Sequence, residues 1–104
     1  MKPTPTKIPL TNLIKEVLTE CIEASGMKQK EIAAILDLTP SKFSDYIHGR
    51  RNLNVEMAYK LGILFKTSPI YWLNMQNDQQ IREFKAKKGA EIESTIKPLE
   101  LEYA

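Results

Sequence analysis

With 104 residues, 42% hydrophobic and 27% charged, the chain has material for one compact domain and not for two independent ones. No apolar run approaches the roughly 18 residues of a membrane span, the opening MKPTPTKIP has no secretory apolar stretch, and a lone cysteine makes no internal disulfide; a soluble cytoplasmic protein is expected. The formal charge of +2 hides an asymmetry, because from Gly89 onward one lysine faces four glutamates, which sets the end at −3 and everything before it at +5.

Residues 1–9, with three prolines, do not start a helix and read as a flexible extended arm. A domain over residues 10–88 follows. Leu10, Leu13, Ile14, Val17, Leu18, Cys21 and Ile22 keep helical spacing, and Ser25-Gly26 stops that first helix. From Met27 to Asn52 the chain reads as two short helices and a tight turn, with the motif at about residues 28–49. Ile32, Ala33, Ile35 and Leu36 form the apolar side of the first of these helices, and Thr39-Pro40 is an N-cap followed by a proline at the first helical position of the second. There Phe43, Tyr46 and Ile47 share one face. Ser41, Ser44, Asp45 and His48 fall on the other, free to touch a partner. Such a helix fits the DNA major groove, and Arg50, Arg51 and Asn52 make a basic exit loop beside it.

Asn54 caps a fourth helix, VEMAYKLGILF, whose Val55, Ala58, Leu61, Ile63, Leu64 and Phe65 are expected to close the core, with Gly62 there for close helix contact. Ser68-Pro69 repeats the cap-plus-proline start for a fifth helix, IYWLNMQNDQQIREFKAK. Most of its aromatic and apolar residues belong in the core, while Ile70, Tyr71, Trp72 and Met75 mark a surface for a dimer mate or another partner. Residues 89–104 form an acidic tail. Its Leu99-Glu100-Leu101-Glu102-Tyr103 alternates as a strand does, so the tail is expected either disordered or docked as a strand on a partner.

An enzyme fails on inventory. Catalysis would rest on His48, whose place at a helix end suits a cap or a phosphate contact, and on Cys21, which sits on the apolar stripe of the first helix. Neither metal-ligand spacing nor a phosphate loop is present, and no metal or cofactor is expected.

Four segments, KQKEIAAIL, TPSKFSDYIHGRRN, VEMAYKLGILF and SPIYWLNMQ, resemble the Xre/Cro-type helix-turn-helix family between Leu10 and Ile81. The last segment is similar more narrowly to the HigA-type antitoxins, the VapI or addiction-module antidote group. The resemblance implies an all-α, five-helix, lambda-repressor-like fold that binds double-stranded operator DNA as a homodimer. It also implies that Gln29 and Thr39 hold phosphates at helix N-termini, that Pro40, Ser41 and Asp45 touch base edges, and that Lys42, Ser44, Arg50 and Arg51 contact the DNA backbone. Lys28 and His48 join the backbone set from their own chemistry and position. With no Arg, Asn or Gln among the base-facing positions, specificity has to come partly from dimer spacing and DNA shape. The narrower likeness further implies an antitoxin that represses its own operon and blocks a small basic, mRNA-cleaving toxin; the alternative is a stand-alone Xre-family regulator without a toxin. Two positions depart from the pattern. Asp37 stands where the motif's turn usually has glycine, and Lys28 stands where a Ser or Thr would cap the second helix and pair with Glu31.

Overall fold

A computed structural model describes residues 12–102, so the expected arm at 1–9, and Leu10 of the first apolar stripe, lie outside the described residues. Within them the chain is all-helical: α1 Leu13–Ser25, α2 Gln29–Ile35, α3 Pro40–Ile47, α4 Val55–Phe65, α5 Pro69–Phe84, a π-helical turn Lys85–Gly89, and α6 Ala90–Thr95. Four of these helices start on a side-chain cap. Asn12, Thr39, Asn54 and Ser68 each accept from the backbone N–H three residues on, satisfying a donor the helix cannot pair internally. Pro40 and Pro69 then occupy first-turn positions where a missing N–H costs nothing.

The core gathers Ile14 and Leu18 of α1, Ile32 and Ala33 of α2, Leu36 from the turn, Phe43, Tyr46 and Ile47 of α3, Leu53 from a loop, Met57, Ala58 and Leu61 of α4, and Trp72 of α5. Helix α5 packs along α4 and α1, while α3 packs on α1 and α2, which leaves the outer side of α3 uncovered among the described residues. Three apolar residues expected inside are outside: Ile35, Val55 and Ile63 are largely exposed. In α4 the inward face is Met57, Ala58, Leu61 and Gly62, so Val55 precedes that face and Ile63 is turned about 100° from Gly62. Gly62 does allow a close approach. A Cβ there would stand 2.8 Å from the Thr67 carbonyl oxygen, in the turn where Lys66 adopts a left-handed conformation (φ 60°).

Trp72 corrects another expectation. It is wholly buried, donates from Nε1 to Thr67 Oγ1 at 2.7 Å, and packs between the rings of Phe65 and Tyr71, so it cannot form a partner surface. Beyond Phe84 the backbone stays helical through the π turn and α6, across the boundary expected between residues 88 and 89. The stretch KAKKGAEIEST has one glycine and no proline to stop it, and the helix ends at Ile96, two residues before Pro98. Residues 97–101 carry no regular secondary structure.

Polar side chains of α5 tie the remaining pieces together. Gln76 accepts from the Leu53 N–H at 2.7 Å and donates to the Leu53 carbonyl at 3.0 Å, so one amide satisfies both polar groups of a buried loop residue. Gln79 accepts from the Leu13 N–H at 2.7 Å, and Gln80 donates to Asn52 at 3.2 Å. Gln76→Ala would strand the Leu53 N–H and C=O away from easy hydration and should cost about 2 kcal/mol in urea unfolding. A change below ~0.5 kcal/mol would show that water replaces the amide. Gly62→Ala should cost about 1–3 kcal/mol in the same assay through overpacking against the Thr67 carbonyl.

Candidate nucleic-acid interface

The hydrogen bonds that hold the turn between α2 and α3 come from the backbone and one lysine. Asp37, at φ 62°, donates its N–H to the Ala34 carbonyl, and Leu38 donates to the Ala33 carbonyl, which is the paired Schellman closure of a helix end. Aspartate stands where glycine is usual because its short polar side chain tolerates this left-handed backbone better than most. Lys60 of α4 reaches across to the Leu36 carbonyl at 3.0 Å, which fixes the turn against α4 while its ammonium lies 3.4 Å from Glu56.

Helix α3 closes with the same backbone device. Gly49 (φ 79°) donates to the Tyr46 carbonyl, and Arg50 donates to the Asp45 carbonyl. Asn12 stands at the start of α1 with its Oδ1 on the Lys15 N–H, and its Nδ2 donates to the Ile47 carbonyl at 3.1 Å. One asparagine therefore joins the first turn of α1 to the last turn of α3. A sequence pattern of apolar spacing carries no signal for that role, since the bond spans 35 residues.

On the outer side of α3, Pro40, Ser41, Lys42 and His48 are exposed, and Ser44 and Asp45 are half-buried by their neighbours. Thr39 directs its hydroxyl oxygen back to the Lys42 N–H, so its side chain orders the helix start. His48 lies against the Ser44 carbonyl (2.9 Å from Nδ1) and the Ser44 hydroxyl (3.3 Å). Arg50 folds back onto the helix, with Nε donating to Asp45 Oδ1 at 2.9 Å and Nη2 to Ser44 Oγ at 3.2 Å. Arg51 takes a different path, its guanidinium 5.7 Å from the centre of the Tyr46 ring. Lys28 and Gln29 are exposed at the start of α2. The Lys28 N–H donates to Glu31 Oε1 at 2.8 Å, but an ammonium has no acceptor to offer in return, so only half of a capping box is made.

Ser41, Ser44, Asp45, His48 and Arg50 thus share the uncovered side of α3, with Pro40 and Lys42 in its first turn and Lys28 and Gln29 at the start of α2. Of the expected partner surface, Ile70 and Tyr71 are exposed, Met75 is half-buried against the core, and Trp72 is inside. A larger apolar stretch lies further on. Ile81 and Phe84, 65% and 51% exposed, line a groove with Gly89 and Ile92 at the junction of α5, the π turn and α6. Its signal, Ile81 and Phe84 three apart with Ile92 eight later, is hidden because the π turn changes the helical period.

Among the described residues no group of His, Cys, Asp and Glu is arranged to hold a metal ion. Burial first, and the nearby Glu20 second, push the Cys21 thiol above its ordinary range. No described helix is long and apolar enough to cross a membrane.

A helix-turn-helix family model matches residues 18–72, from α1 through Trp72. A protein of Escherichia coli K12 described as an uncharacterized HTH-type transcriptional regulator, YddM, is 31% identical over 77 residues, which is 74% of this chain and 80% of that protein. Among solved structures, a Pseudomonas aeruginosa protein in complex with its 18-base-pair operator DNA superposes with a TM-score of 0.80 at 26% identity, covering 88% of this chain and 97% of its own. The Pseudomonas aeruginosa antitoxin HigA with the higBA promoter superposes at 0.76 with 27% identity, covering 84% of this chain and 96% of its own.

The half-made capping box generates a stability test. Lys28→Ser supplies the missing acceptor and should raise stability by about 1 kcal/mol in urea unfolding. No gain would mean that solvent already satisfies the first turn of α2.

Proposed function

The chain belongs to the helix-turn-helix family of transcriptional regulators, and on that premise we propose that it is a sequence-specific repressor, acting as a homodimer on operator DNA and serving as the antitoxin of a toxin–antitoxin pair. The observation that carries the DNA reading is the uncovered side of α3. Among the described residues no other helix packs on it, its side chains are small and polar, and Lys28, Lys42, Arg50 and Arg51 surround it. In this reading Pro40, Ser41 and Asp45 face base edges. Ser41 donates or accepts, and the Pro40 ring packs on a thymine methyl. Lys28, Gln29, Thr39, Lys42, Ser44, His48, Arg50 and Arg51 face the sugar-phosphate chain, helped by the free N–H groups at the starts of α2 and α3.

An eight-residue α3 reads too few base pairs alone, so a two-fold pair with recognition helices about 34 Å apart is required. The exposed Ile70 and Tyr71 and the apolar groove of Ile81, Phe84 and Ile92 supply area for that pair to bury. The antitoxin part rests on the likeness to the HigA–promoter structure and on charge. Glu91, Glu93, Glu100 and Glu102 lie at the end of the chain remote in sequence from the basic α2–α3 unit, where they suit a small basic protein and not DNA. A stand-alone regulator is the second reading, supported by the likeness to the transcriptional regulator YddM.

Binding of the purified protein to its own promoter should weaken linearly in log–log form as salt rises, and Arg51→Ala should lower that slope by about 1. A protein that shows no salt-dependent promoter binding is not an operator-binding repressor. Co-expression with the product of a neighbouring gene encoding a small basic protein should rescue growth if the chain is an antitoxin, and deletion of residues 89–104 should abolish the rescue. Full rescue by the truncated chain would remove the tail from the toxin surface.

A further inference from the structure

Arg50 carries more than its place after the end of α3 suggests. A cation in an exit loop ordinarily extends toward the nearest phosphate, but here the side chain doubles back along the helix and ends on residues of its outward face, at Asp45 Oδ1 (2.9 Å) and Ser44 Oγ (3.2 Å). The backbone favours that path. Gly49 reverses the chain at φ 79°, and the Arg50 N–H is tied to the Asp45 carbonyl, so the Arg50 Cα starts one turn from the carboxylate its side chain meets. The guanidinium side chain remains 59% exposed in this position.

The hydrogen-bond inventory sets what such an arginine can do. A guanidinium has five N–H donors in one plane; Nε–H and one Nη2–H are taken by Asp45 and Ser44, which leaves both Nη1 donors and one on Nη2. Those remaining donors include a parallel pair along the outer edge, the fork that matches O6 and N7 of guanine. Asp45 changes role accordingly. Its Oδ1 is already occupied, and an unpaired carboxylate pressed toward DNA would be repelled by the phosphates, whereas the Asp45–Arg50 pair is neutral and points donors outward. We propose that Arg50, aimed by Asp45 and Ser44, reads a guanine in the major groove, and that Asp45 is a positioning residue for it. This rests on the operator-binding reading above and replaces the roles given there to Arg50 and Asp45. It supplies the bidentate base reader that the positions at the start of α3 lack.

The test is selection of bound sequences from a random DNA library by the full-length protein and its variants, followed by affinity measurement on the selected site. The wild type should select one guanine per half-site whose replacement weakens binding roughly ten-fold or more. R50K, R50A and D45A should each lose preference at that same base pair, and the R50A/D45A double variant should be no less selective than R50A alone. D45A, which frees a cation, should hold or increase affinity for non-specific DNA. Guanine lacking N7 at that position should weaken the wild type and leave R50K unaffected. Both residues are exposed enough that thermal unfolding should show folded variants. Uniform weakening by R50K with all preferences retained would make Arg50 a phosphate contact and overturn the proposal. Loss of a cytosine preference in D45A that persists in R50A would also overturn it, by making Asp45 the reader. A wild type that binds DNA without selecting any base loses both readings, whereas a selected motif that Arg50 variants leave intact removes only this one.

Discussion

The geometry of the domain depends on a peptide that no helix owns. Leu53 lies between α3 and α4 with its side chain in the core, so its N–H and C=O enter the interior without a ladder or turn to receive them. The Gln76 amide supplies both partners from α5, acting as a strand neighbour of one residue. That single clamp fixes the distance between the last helix of the core and the loop that leaves the recognition helix. Displacing it would move Leu53, and with it Asn52 and the two arginines just upstream. Gln80 on Asn52 and Gln79 on the start of α1 repeat the arrangement one turn along the same helix face. The polar row is thus as much a part of the packing as Trp72 is on its own side of α5.

Such anchoring matters because the apolar core is small. Among the described residues thirteen buried hydrophobic side chains organise α1 to α5, and the two shortest of those five, α2 and α3, have too few turns to be stable in isolation. Their orientation is set at the ends, by the Schellman closures at Asp37 and Gly49, by Lys60 on the turn carbonyl and by Asn12 on the last turn of α3. All of these contacts lie behind or beside α3. The outward face is left to side chains that bond only to one another or to their own helix, so substitutions there alter what is presented without disturbing how it is held.

Helix starts were legible because capping and proline chemistry are local: Thr39-Pro40, Asn54 and Ser68-Pro69 stand where their side chains predict. The left-handed Asp37 was legible through the resemblance, as the residue standing where the motif's turn usually has glycine. Burial was harder wherever apolar residues crowd a helix. VEMAYKLGILF holds more apolar residues than one helix face can take, and packing in the folded domain selects Met57, Ala58, Leu61 and Gly62 over Val55 and Ile63. Trp72 looked available to a partner because Phe65 and Thr67, which build its pocket together with the neighbouring Tyr71, come against it only once the α4–α5 turn has closed. The roles of Asn12, Gln76 and Gln79 were illegible in principle, since their partners are backbone groups, which every residue has. At the candidate site, the family resemblance implied Ser44, Asp45 and Arg50 as separate contacts; their joining into one network depends on the left-handed turn at Gly49 and the path of a flexible side chain.

The π turn at Lys85–Gly89 holds one residue more than an α-helical turn needs. Removing any one residue there would restore an uninterrupted α-helix and leave everything after it facing nearly as it does now, because seven α-helical steps from Phe84 to Ile92 come within about 20° of two full turns. In an unbroken α-helix of the present length Ile92 would instead stand about 80° away from the side of Ile81 and Phe84. The π turn therefore absorbs one residue of length and keeps the final helix in phase with α5.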